Sequence, residues 1–118
     1  MANLNDSLNE LMTIDGSLCC AVVDSNSGML LGSAGSGVDM ELAAAGNTEV
    51  VRAKMKTMKS LNLNDTIDDI LITLGKQYHI IRPVVSKEGL FIYSVIDKRG
   101  NLALARRKVQ DVEKALAI

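Results

Sequence analysis

The sequence predicts an α/β (α+β) chain built as a three-layer α/β/α sandwich around a five-stranded antiparallel sheet, in the order α-β-β-α-β-β-β-α. Three observations predict this. First, the chain has 118 residues, is 47% apolar and carries a formal charge of −1. That excludes intrinsic disorder and fits a single domain over residues 1–118. Second, the three later strand-like segments are joined by tight turns, which makes an antiparallel meander the economical arrangement. Third, the strand-like segments are apolar on both faces, so the sheet needs helices on both sides.

Each element follows in turn. Leu4, Leu8, Leu11 and Met12 recur at helical spacing and predict a short amphipathic helix ended by Asp15-Gly16. Leu18 to Asp24 is a run of β-formers, Ser25 to Gly28 is turn chemistry, and Met29 to Ser33 returns as a second strand. The stretch Gly32 to Gly37 reads as a flexible connector into a helix from Val38 to Leu61, capped by Ser36 and Asp39. Ile67 to Leu74, Gln77 to Val85 and Leu90 to Asp97 are the three strands of the meander, and a last helix runs from Asn101 to Ala117. Ile70, Ile72 and Leu74 oppose Leu71 across the sheet, and Cys19, Ala21 and Val23 oppose Leu18, Cys20 and Val22.

The second helix carries more apolar surface than one sheet covers. Met40, Ala44, Val51, Met55 and Met58 fall on one line, and Ala43, Val50 and Leu61 on a second. The resulting arc spans roughly 140°, against about 100° for a helix lying on a core. Lys54 and Asn47 interrupt it, while Glu41, Glu49, Arg52, Lys56 and Lys59 gather opposite. The expectation is that one edge packs on the sheet and the methionine-bearing edge on another subunit. A wide stripe filled by the chain's own loops is the plainer alternative.

Composition excludes several function classes. A near-neutral chain with only Tyr78, Phe91 and Tyr93 as aromatics lacks both the cations and the stacking platform of a nucleic-acid binder. No apolar run approaches the 18 or so residues of a membrane-spanning helix, and Met1 to Glu10 has no secretory pattern. Adjacent Cys19 and Cys20 make a poor structural disulfide and suit a reducing compartment, so a cytoplasmic location is expected.

No catalytic constellation emerges. Gly32 and Gly37 have the spacing of a phosphate loop, but Val38 and Asp39 stand where Lys and Ser or Thr are needed. His79 is the only histidine, and adjacent strand cysteines point to opposite faces, so a Cys19, Cys20, His79 zinc site is disfavoured. The thiols sit among Leu18, Ala21 and Val22, an environment unlike that of a reactive nucleophile. Asp65, Asp68 and Asp69 read as a solvated loop guarding a strand edge, and Arg106, Arg107 and Lys108 as a charged helix face. The sequence offers no pocket-forming aromatic and polar set for a small-molecule ligand. A non-enzyme without metal or cofactor is expected.

Two motifs carry a resemblance. Val22-Val23-Asp24-Ser25-Asn26-Ser27-Gly28-Met29-Leu30-Leu31 resembles the V-D-x-x-G-x-L-L hairpin of the roadblock family, the dynein light chain-like domain. Asn101-Leu102-Ala103-Leu104-Ala105-Arg106 resembles the N-L-G/A-x-x-R opening of that family's last helix. Element order and length agree over almost the whole chain. The departures are the Gly/Ser stretch and Ala103, where glycine is frequent.

The resemblance implies a homodimer in which third strands pair across a two-fold axis and second helices lie side by side. Carried onto this sequence, Ile70, Leu71, Ile72 and Thr73 line the strand junction, and Val51, Met55 and Met58 the helix junction. It further implies a non-catalytic regulator or scaffold for a Ras-like small GTPase, some relatives stimulating GTP hydrolysis. The alternative is a structural adaptor subunit of a larger complex, dynein light chain-like, with no GTPase partner. Arg52, Lys54 and Lys56, beside Met55 and Met58, are the expected partner-facing patch.

Overall fold

The computed structural model describes residues 2–118 of the chain. Helix α1 (Leu4–Met12) starts at Asn3, whose side chain accepts the Asp6 amide at 2.8 Å. That satisfies one of the donors a helix start leaves free. Strands β1 (Ser17–Asp24) and β2 (Met29–Gly35) form the expected hairpin. Its turn is held by the Asp24 carboxylate, which accepts the Asn26 amide at 2.9 Å and the Ser27 hydroxyl at 3.3 Å.

β2 extends further than the turn-rich sequence suggests. Most of the expected connector, through Gly35, is strand paired with β1. The small residues are there for close approach. A Cβ on Gly32 would lie 3.0 Å from Leu4 and 3.1 Å from Leu8, so glycine lets the leucines of α1 sit close on this strand. Gly35 has φ +79°, and a Cβ there would run into the Leu18 carbonyl.

Helix α2 (Met40–Ser60) is capped by Asp39 alone, whose side chain accepts the Leu42 amide at 3.2 Å. Ser36, the other expected cap, donates its amide to the Leu18 carbonyl and prolongs the hairpin ladder. β3 (Ile70–Thr73) is shorter than expected, its ladder with β4 beginning at Ile70, and just before it the Asp69 carboxylate accepts N–H···O bonds of 2.8 and 2.9 Å from Arg106. Asp69 is therefore an ion-pair partner instead of a freely solvated residue. β4 (Gln77–Pro83) and β5 (Leu90–Asp97) complete the meander. Helix α3 (Leu102–Ala115) is capped by Asn101 on the Leu104 amide. It stops before Ala117 because Leu116 and Ala117 run extended beside Ala2, whose carbonyl accepts the Ala117 amide at 2.8 Å.

The sheet order is β2-β1-β5-β4-β3, with every neighbouring pair antiparallel. β1 and β5 occupy the middle and are almost wholly buried. α1 and α3 cover one face, packing Leu8, Leu11, Val109 and Val112 on Cys20, Val22, Ile80, Ile92 and Ile96. α2 covers the other, packing Ala44 and Val51 on Cys19, Ala21, Val23, Phe91, Tyr93 and Val95. The strands are apolar on both faces because both faces are cores. β2 and β3 are left as the two edges.

Candidate interaction surface

The apolar arc of α2 divides, though along a different line from the expected one. Ala44, Thr48 and Val51 are buried to 1–2% exposure, with Met40 and Ala43 half-buried beside them. The line bearing Met40 and Val51 is thus the sheet-facing line. Val51, expected at a subunit junction, is taken up by the chain's own core. Sequence periodicity could find the two lines but could not say which one faced inward.

Met55 and Met58 continue the buried line past the end of the sheet. A helix of 21 residues is about 31 Å long, more than an eight-residue strand spans. The overhang forms an apolar cleft of about 510 Å³ with Leu63, Ile67, Val84 and Val85. Met55 stays 47% exposed there. On the second line, Val50 and Leu61 are exposed, as is Leu42 near the helix start.

The expected basic patch does not form one surface. Successive members of Arg52, Lys54 and Lys56 lie two residues apart, which turns each about 200° from the last. Arg52 and Lys56 share one flank, and Lys54 projects from the other. Arg52 is also engaged, donating through Nη2 to the Asn26 carbonyl at 2.6 Å in the β1–β2 turn.

On the far side of α2 the sheet is only partly covered. α2 lies over β1 and β2, while Ile70, Leu71, Ile72 and His79 remain half-buried and Thr73 exposed. Ile70 packs toward the α2 side and Leu71 toward the opposite core. Among the described residues no strand pairs with the outer edge of β3. Ile70 to Thr73 therefore stand together as a free, apolar sheet edge.

The same region holds a polar cluster that the sequence did not reveal. His79 Nδ1 lies 2.9 Å from the Tyr93 hydroxyl and Nε2 lies 2.8 Å from Gln77 Oε1, with the two rings edge-on at 5.5 Å. These distances suit a neutral imidazole that donates to Gln77 and accepts from Tyr93. Burial pushes the His79 pKa down and the Tyr93 phenol up, with Asn47 pulling Tyr93 the other way. Tyr93 and His79 meet only through the β4–β5 register, a signal that periodicity does not carry.

Cys19 and Cys20 lie in the two opposite cores, and burial raises both thiol pKa values, that of Cys20 to about 11. Such thiols are poor nucleophiles. Among the described residues there is no group of three or more His, Cys, Asp or Glu placed to hold a metal, and no helix is long and apolar enough to cross a membrane.

No family sequence model and no curated protein sequence matches the chain. Solved structures do. Myxococcus xanthus MglB superposes with a TM-score of 0.82 at 21% identity, over 93% of this chain and 88% of that one. A Roadblock/LC7 domain from Streptomyces avermitilis also gives 0.82, at 9% identity over 97% and 94%. The gliding protein MglB of Thermus thermophilus gives 0.71, at 13% identity over 94% and 88%. With the element order and sheet topology above, these superpositions show that the chain has the roadblock fold.

Proposed function

We propose that the chain is a non-catalytic homodimeric regulator or scaffold that binds a Ras-like small GTPase. The observation that carries the dimer is the free edge of β3, flanked by half-buried Ile72 and His79 on a strip of sheet that the chain's own helices leave open. Antiparallel pairing of Ile70–Thr73 with a second copy satisfies the edge and brings apolar surface under cover. The exposed line of α2, Val50 and Leu61, with Met55 and Met58 beyond it, supplies the helix contact. Val51 has no part in it.

The GTPase reading rests on the roadblock fold and on the hairpin and last-helix motifs. Arg52 and Lys56, on the solvent-facing flank of α2, are the side chains proposed to meet it, with Lys54 left at the helix junction. The test has two stages. Light scattering is expected to give a mass about twice the chain's 12.7 kDa, falling toward the monomer in Ile72→Lys, which places a charge on the edge face. A Ras-like GTPase from the same cell, loaded with GDP or a non-hydrolysable GTP analogue, then binds the dimer with nucleotide-dependent affinity. A monomer at micromolar concentration overturns the dimer. Equal absence of binding in both nucleotide states overturns the GTPase partner and leaves the adaptor reading.

A further inference from the structure

The second sheet edge is unlike the first. β2 is seven residues long, with no charged residue and no proline, and among the described residues no strand pairs with its outer side. Natural edges are usually guarded by charges, proline, shortness or a bulge. Here only the bulge is present: the register with β1 shifts between Val22 and Val23, leaving Leu31 as the extra residue. Beyond it, Gly32 to Gly35 form a regular stretch of small residues paired on one side only.

The surroundings of this edge present no block of one charge sign. Met12 reaches over Gly35, while Glu10, on the other side of α1, pairs with Lys108 of α3 at 2.6 Å. At 100° per residue, Asn5 and Asn9 fall within about 20° and 60° of Met12. Both are exposed, so the α1 flank of the edge carries amides and not charges. On the α2 flank, Arg52 reaches the hairpin turn, and Glu41 and Ala45 share its side of the helix. Glu49 and Lys56 lie further round the same flank, so acids and bases are interspersed along it.

From this geometry we infer that β2 is a docking edge for an extended, uncharged segment of a partner protein, which adds as a sixth strand along Gly32–Gly35 and rests an apolar side chain on Met29 and Leu31. Main-chain hydrogen bonds supply the affinity of such strand addition, and side-chain complementarity the selectivity. The small residues of β2 favour β-branched residues in the incoming strand, and an acidic or basic segment would meet no counter-charge on the strand. A second copy of this chain fits less well. Met29 at 64% and Leu31 at 41% are the only large apolar side chains exposed along β2, short of the roughly 800 Å² per partner of a standard interface. The inference goes beyond the proposed function and does not depend on the dimer, because β3 lies at the opposite end of the sheet.

A displayed library of random heptapeptides, selected on the intact protein, tests it. Uncharged, β-branched-rich peptides are expected to emerge and to slow amide exchange over Met29–Gly35. Their affinity is expected to fall at least tenfold in Met29→Lys/Leu31→Lys. Ser33→Lys, at an exposed position, serves if the double variant misfolds. Peptides that protect Ile70–Thr73 instead, peptides indifferent to both variants, or no selected peptides at all overturn the proposal. So does growth of mass beyond a dimer that these variants abolish, which would make a second copy the occupant. A monomeric protein whose β2 is protected by peptide upholds this inference while refuting the dimer.

Discussion

Arg82 and Glu113 show how one buried pair fastens a helix to the sheet. Arg82 Nε donates to Glu113 Oε1 at 2.9 Å, with side chains 12% and 4% exposed, and the second carboxylate oxygen takes the Val85 amide at 3.5 Å. The pair joins α3 to the end of β4 and the turn beyond it. Removing water from two charges is costly, so the pair's net contribution is small, but removing one partner leaves the other charge buried and unmatched. Glu113→Ala is expected to lower unfolding free energy by about 3–5 kcal/mol in urea titration. The double variant Arg82→Met/Glu113→Leu is expected to recover most of that loss, since it removes both charges and keeps apolar volume. Equal instability of single and double variants would mean that packing, and not charge, holds this corner.

At the level of elements, α2 separates two kinds of apolar residue that the sequence leaves equivalent. Val51 at 2% exposure is core, and its neighbour Val50 at 37% is surface. Val51→Ala is expected to cost roughly 1–3 kcal/mol of stability through lost burial and the cavity left behind. It should leave the assembly state unchanged. Val50→Glu is expected to leave the chain's thermal transition within a degree or two at low concentration, yet weaken the proposed dimer in light scattering. The reverse pattern would exchange the two faces. What was legible in advance follows the same division. Strong periodic segments gave every element, their order and the need for two helical layers, because burial imposes the period. The extent of β2 was hidden because glycine and serine read as turn, while here they serve the close approach of α1 over Gly32. The Asp69–Arg106 pair was hidden because it joins residues 37 positions apart, and the extent of β3 because it is set by pairing with β4. The inward line of α2 was hidden because sheet position, not helix period, decides which side is covered.

For the whole molecule, two buried thiols and a half-buried histidine predict a stability curve limited at both ends of the pH scale. On the acid side, burial holds the His79 pKa below its ordinary 6.5. As pH falls through that value the unfolded chain takes up a proton that the folded chain resists, so stability declines with falling pH until the folded pKa is passed. On the alkaline side, burial raises both thiols above their ordinary 9.0, Cys20 to about 11. Above 9 the unfolded thiols lose protons that the folded ones keep, so stability declines again until the folded values are reached. The slope is at most about 1.4 kcal/mol per pH unit for each group. Urea midpoints measured from pH 5 to pH 11 should therefore describe a dome with its plateau between the ordinary histidine and cysteine values. Cys20→Ala should shrink the alkaline limb, leaving the shares of Cys19 and Tyr93, and His79→Gln should flatten the acid limb alone. Because Cys20 lies under α1 and α3 while His79 lies on the α2 side, independent limbs would show that both layers unfold together while titrating separately. A loss of both limbs in either variant would instead place their origin in groups other than these two.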